Sequence, residues 1–465
     1  MRYDTLIIGA GLSGLAAGIR LAYFGKPVCV LERHTTIGGL NSFYRLRERN
    51  YDVGLHAVTN YAPPGTKTGP LSKLLRQLRL SWDDFDLCPQ IQSRIAFPQL
   101  SLKFNNDIEL LLSQVAEKFP GQIDGFRRLV EFLDQQELGR VVDPTLTARP
   151  VLAEYLSDKL LVDMLLCPLM YYGSPTPHDI DFTQFVIMFR SIFREGLARP
   201  RNGVRVILKR LVRQYKQLGG ELRLNSGVRS ILADGPRVQG VVLDDGEIIE
   251  ADRVLSSAGH VETMRLCDGR AAALPPQDDL SQAGEITFVE SICTLDRAPA
   301  ELGFRETAVF YSNAPEFHFA NPADACDLSG GIVCSPNNFA YDKPLEEGAV
   351  RITALANPSH WMNFAREEDY VAAKAAWHER IVEAALRHIP DFRPAAIDID
   401  MFTPRTIKHF TGHANGCVYG APRKRWDGTT PFDNLFLCGT DQGFLGIVGA
   451  MLSGIAMANR HVLRH

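Results

Sequence analysis

"YDTLIIGAGLSGLAAGIRLAYFGKPVCVLER", Tyr3 to Arg33, decides the fold. Leu6, Ile7 and Ile8 make a short unbroken apolar run, as in a parallel strand covered on both faces. Gly9, Gly11 and Gly14 follow at once as G-x-G-x-x-G. In such a turn the first glycine permits the reversal and the second lets a pyrophosphate approach the backbone. The third lets helix and strand pack closely. A helix is predicted to begin near Leu12 and Ser13 and to aim its free N–H groups and positive end at phosphate. After Gly25 the chain returns as "PVCVLER", which puts Glu32 eighteen residues past Gly14, with Arg33 next to it. A carboxylate there accepts a ribose hydroxyl. Strand, turn, helix, strand and acid together predict a dinucleotide cradle.

The residues beyond Glu32 narrow the choice of dinucleotide. "HTTIGGLNSF" brings Gly38, Gly39 and Leu40 just past the acid, a further point of close approach for a larger cofactor. No second G-x-G-x-x-G follows a strand, so a dedicated nicotinamide domain is not expected, and FAD is the better reading. The far end of the chain asks a related question. "CGTDQGFLGIVGAMLSGIAMANRHVLRH" places glycines at 439, 443, 446 and 449 where a helix begins. Each interior Gly costs about 1 kcal/mol relative to Ala, so something bulky and polar is expected against the start of this helix.

Composition bounds the rest. With 465 residues the chain exceeds one ordinary core, and two or three lobes are expected. Apolar residues at 45% and charged residues at 22% describe a globular protein, and a net charge of −4 gives no basic field for nucleic acid. The nine cysteines include no C-x-x-C pair, which favours free thiols in a reducing compartment over disulfides or a metal site. Thr5 to Ile19 is interrupted by four glycines and follows Arg2 and Asp4, so it is not taken for a signal core. No run of eighteen apolar residues predicts a spanning helix. A cytoplasmic protein is expected, with peripheral contact to the cytoplasmic membrane open. Oligomeric state is not legible.

The predicted fold class is α/β, a Rossmann-type FAD-binding domain assembled from three chain segments. These are 1–61, 201–262 and 405–465. The second segment holds a helix, "VRVILKRLVRQYKQL" (204–218), ended by Gly219-Gly220, then a hairpin turn at Asp245-Gly246 and a strand in "DRVLSSAG". Between the segments a mainly helical lobe is expected at 62–200 and an α+β substrate domain at 263–404.

These pieces resemble the FAD-dependent amine oxidase and phytoene desaturase superfamily. "YDVGLHAVTNY" (51–61), "NGCVYGA" (415–421) and "CGTDQGFLGIVGA" (438–450) are similar to stretches of retinol saturases and carotenoid-isomerase relatives. Leu40 stands where many phytoene desaturases carry Arg, which places the saturase side of the family nearer. The resemblance implies that the flavin lies across the start of the last helix, with Gly439, Gly446, Ile447, Val448 and Gly449 beside it. Asp441 then faces the ribityl chain or pyrophosphate, and the Val228 backbone meets adenine.

Flavin chemistry on a C=C bond needs hydride transfer together with an exchanged proton. His56, where the first segment runs toward the substrate lobe, is the leading candidate for that proton, and Tyr419 the next, as donor or ring wall. Asp52 is expected as a structural hydrogen-bond acceptor. The implied substrate is a hydrophobic carotenoid, retinoid or polyene lipid, saturated or desaturated. The alternatives are isomerisation without net redox, amine oxidation, or lipid carriage as in Rab GDP-dissociation inhibitors. "FTQFVIMFRSIFREGLARPR" (182–201) has apolar residues at helical spacing with Arg190, Arg194, Arg199 and Arg201, the pattern of a helix lying on an anionic bilayer.

Overall fold

A computed structural model describes residues 2–54, 56–137, 145–267 and 280–464. The opening stretch folds as its periodicity dictates. Strand Arg2–Ile8 leads through the glycine turn into helix Leu12–Tyr23 and back along strand Val28–Leu31. These two strands pair in parallel, and Arg2–Ile8 pairs on its other side, also in parallel, with Ile248–Ser256. The full sheet runs Val228–Asp234, Arg237–Leu243, Ile248–Ser256, Arg2–Ile8, Val28–Leu31, Glu221–Arg223, and Leu435–Leu437 joins Ile248–Ser256. One sheet therefore draws strands from three distant parts of the chain.

Helices cover it closely because small residues let them. The last helix, Gly446–Ala458, packs on Leu12–Tyr23, and a Cβ at Gly454 would stand 2.0 Å from the Ser13 carbonyl oxygen. Ser453 turns its hydroxyl to accept from the Gly439 N–H at 2.8 Å. Val204–Gln217 packs on the same face, where the Tyr215 hydroxyl donates to the Val28 carbonyl at 2.9 Å.

The second sheet is mostly antiparallel. Its order is Ala396–Phe402, Phe288–Leu295, Gly348–Leu355, Gly330–Cys334, Ala308–Ser312, Ser93–Ala96, Ser101–Phe104. The last two strands come from the stretch expected to be a helical lobe, so that lobe is fastened to the sheet by its own hairpin. The helices of this lobe, among them Lys159–Gly173 and Phe182–Phe189, enclose an aromatic core containing Phe104, Phe126, Phe185, Phe189 and Phe193.

That core corrects the bilayer expectation for 182–201. Its apolar residues are interior, and its arginines are committed within the protein. Arg190 donates to the carbonyls of Leu133 and Gln136, and Arg194 pairs with Asp134 at 2.8 Å. Arg199 is buried against Asp52 at 2.7 Å, and Arg201 donates to the carbonyls of Lys343 and Pro344. The helical spacing reflects packing inside the lobe. Among the described residues no helix is long and apolar enough to cross a membrane. All nine cysteines are free thiols, eight of them buried.

Candidate functional site

The three glycines of the opening turn have three different neighbours, and these show where a ligand fits. A Cβ at Gly9, where φ is +95°, would meet the Ser257 hydroxyl at 2.5 Å, and one at Gly14 would strike the Gly9 carbonyl at 2.0 Å. Those two positions are fixed by the turn and by packing. A Cβ at Gly11 would meet nothing within 4 Å. Only a groove lies beyond it. Gly39 faces the same space, with only the Gly11 Cα within contact distance at 3.8 Å.

The groove is bordered by Gly9, Gly11, Leu12 and Ser13 on the turn, by Glu32 and Arg33 at the end of the second strand, and by Gly39, Leu40, Val228 and Gly439. Gly11 caps helix Leu12–Tyr23 without a side chain, so the free N–H groups of its first turn open on the groove. Glu32 is nearly buried, and its two oxygens accept from the N–H groups of Ala10 at 2.9 Å and His34 at 3.0 Å. Those bonds aim the carboxylate and leave lone pairs for a further donor.

A second cavity continues from the groove, and both are bordered by Leu40, Asn41, Thr440 and Ala450. Gly446 and Ile447 stand here at the start of the last helix, with Gly446 at φ +72°. A long group with one half in each cavity is what this arrangement accommodates. The residues present thus suit FAD, with its diphosphate at the bare turn and its ring system at the last helix.

The walls of the second cavity are largely aromatic and aliphatic, including Tyr171, Tyr172, Phe288, Phe402, Tyr419 and Leu445. One polar cluster interrupts them. His56 Nε2 lies 2.9 Å from Thr353 Oγ1 and 3.4 Å from Glu290 Oε1. Glu290 is 2% exposed and paired with the equally buried Arg351. Burial alone would raise the Glu290 carboxyl, but the Arg351 guanidinium and then His56 outweigh it and hold it at about 2. Arg351 also donates to the Asp52 carbonyl at 3.0 Å, and the Asp52 carboxylate accepts from Arg199. Asp52 is thereby the structural acceptor expected of it. Leu55, within the same motif, lies outside the described residues.

Other expected positions also have partners within the protein. The Asp441 carboxylate accepts from the N–H groups of His260 and Ala421, at 2.5 and 2.7 Å, and so ties two loops together beside Thr440, which borders both cavities. Val448 is wholly buried, and a Cβ at Gly449 would press on the Phe444 backbone at 3.3 Å, so the side-chain positions of these two face helix packing. The Tyr419 hydroxyl donates to the Tyr171 carbonyl, which makes this ring a wall, and burial pushes its phenol up from the ordinary value. Glu290, Arg351, Thr353 and Tyr172 were not foreseen. The available signal was a lone acid in "TFVESIC" and a lone base in "AVRITALA". These strands pair antiparallel with Glu290 opposite Thr353 and Ile292 opposite Arg351, which brings both charges to one face.

The model of the flavin containing amine oxidoreductases matches residues 12–291. The chain belongs to this family. It is an oxidoreductase and its cofactor is FAD. Prolycopene isomerase of Arabidopsis thaliana is 22% identical over 98% of this chain and 82% of its own length. All-trans-retinol 13,14-reductase of Danio rerio is 24% identical over 99% of this chain and 86% of its own. An oxidoreductase of Methanosarcina mazei shares the fold, with a TM-score of 0.68 and 16% identity over 98% of this chain and 99% of its own.

Proposed function

We propose that this chain is an FAD-dependent oxidoreductase that saturates or desaturates a carbon–carbon double bond of a long, conjugated, hydrocarbon-rich substrate. The observation that carries this reading is the second cavity. It continues from the cofactor groove, its walls are largely apolar, and the one anionic side chain among its described lining residues is already paired. A free carboxylate would favour an ammonium-bearing substrate. Glu290 is instead held between Arg351 and His56. A polyene needs no such partner and gains from burial along aromatic walls. Relatives named for prolycopene and retinol, matched over nearly the whole chain, support the same class.

FAD, when bound, supplies hydride transfer. The chain holds it through Gly9, Gly11, Leu12, Ser13, Glu32, Arg33, Gly39, Leu40, Val228 and Gly439, with Gly446 and Ile447 at the ring end. The segments 1–61, 201–262 and 405–465 are assigned to this task and 263–404 to the substrate. His56 moves the accompanying proton. Thr353 Oγ1 at 2.9 Å and the ionised Glu290 at 3.4 Å hold the ring by its Nε2 edge. In saturation this fixed group gives the proton to carbon, and in desaturation it takes the proton that leaves carbon.

His56→Ala is expected to keep FAD and slow single-turnover flavin oxidation or reduction by roughly 10²–10⁴-fold. Full speed at full FAD content removes His56 from the mechanism. Product mass decides the reaction type. A change of two hydrogens supports saturation or desaturation, whereas an unchanged mass with altered double-bond geometry supports the second reading, a polyene isomerase, which the likeness to prolycopene isomerase favours.

A further inference from the structure

Helix Pro404–Thr411 leaves the second sheet and crosses to the cofactor groove, where Phe410, Thr411 and His413 join its border. Phe410 is 52% exposed. A lone exposed aromatic is ordinary on a protein surface, but this one is held in place. Its ring stands 5.5 Å from that of His34 and 4.8 Å from that of His409. His34 in turn donates its backbone N–H to the Glu32 carboxylate at 3.0 Å. Phe410 is therefore tied to the carboxylate that marks the ribose of the adenosine half.

The segment is anchored at both ends. Thr403, at the helix start, shares a hydrogen bond of 2.8 Å with the Tyr370 hydroxyl. At the other end Gly412, with φ at +77°, closes the helix so tightly that a Cβ there would stand 3.3 Å from the Arg33 guanidinium. His413 is buried and bonds the Cys417 carbonyl at 2.9 Å. An aromatic ring at this border suits a flat, uncharged partner rather than a phosphate.

We propose that residues 404–413 form a clasp over the adenosine half of FAD, with Phe410 as its aromatic platform. The clasp joins the substrate sheet to the cofactor groove, so a bound dinucleotide is held by both.

The test compares holoenzyme with parental Phe410, Phe410→Ala and Phe410→Tyr. Free FAD is measured by its fluorescence on serial dilution, and the visible spectrum of the bound fraction is recorded. Base stacking on an aromatic ring predicts a Kd on the order of 10-fold weaker for Phe410→Ala. Phe410→Tyr should keep the parental affinity. The bound spectrum should not change, since it reports the ring end, and melting temperatures in excess FAD should agree. An unchanged Kd in Phe410→Ala overturns the proposal, as expected if this ring meets another macromolecule instead. A weaker Kd with a shifted flavin spectrum also overturns it, because the disturbance would then lie at the ring end.

Discussion

Glu290→Gln tests the buried ion pair that supports His56. The substitution keeps the side chain's size and one acceptor oxygen but removes its charge. Arg351, 2% exposed, then keeps its charge with a weakened partner. A carboxyl held at about 2 instead of 4.5 stabilises the folded protein by about 3 kcal/mol. Breaking a buried pair by removing one member costs about 3–5 kcal/mol, which agrees in size. That is a large share of the roughly 5–15 kcal/mol typical of net stability. The dependence on pH has a definite sign. Because the folded carboxyl lies below its unfolded value, its contribution is present above about pH 4.5 and is lost as pH falls toward 2. Urea unfolding of the holoenzyme should therefore show Glu290→Gln about 3 kcal/mol less stable at pH 7, with the gap shrinking from pH 5 to pH 3. Replacing both partners, Glu290→Gln with Arg351→Met, should recover much of the loss, since no charge is then stranded. A gap under about 1 kcal/mol at pH 7, or one that persists unchanged at pH 3, would refute the reasoning.

Gly11→Val should leave the fold intact and yield protein without FAD, because a Cβ there meets no protein atom within 4 Å and the side chain enters the groove. Stoichiometric FAD in that variant would remove the turn from the cofactor site. Arg190→Glu should lower the melting temperature, since it sets a carboxylate against the Leu133 and Gln136 carbonyls at a cost of about 1–3 kcal/mol. Sedimentation with anionic liposomes should be unaffected. Lost sedimentation with an unchanged melting temperature would restore a bilayer-facing role for 182–201.

What was legible in the sequence is what local physics determines. Period, turn geometry and the spacing from Gly14 to Glu32 all act within one βαβ unit, so the cradle could be assembled from Tyr3–Arg33. The last helix shows where this stops. Its glycines signal close approach, but a glycine cannot say to what. Gly446 borders a cavity, Gly449 packs on Phe444, and Gly454 packs on Ser13. Asp441 is open to the same ambiguity. A buried carboxylate in a glycine-rich loop can meet a ribityl chain, another loop's N–H groups or both, and the sequence does not show that His260 and Ala421 supply two of its partners. In 182–201 Arg190 and Arg194 look free until Leu133–Gln136 is brought beside them, and Arg199 and Arg201 until Asp52 and Lys343–Pro344 are. The Glu290–Arg351 pair is the most remote case, since sixty residues and a strand register separate two charges that are individually unfavourable in apolar strands. Each is tolerable only because of the other, and together they hold one histidine in an otherwise apolar cavity. The cradle's residues thus follow from neighbours in sequence, whereas the proton-bearing cluster exists only through the antiparallel pairing of two strands.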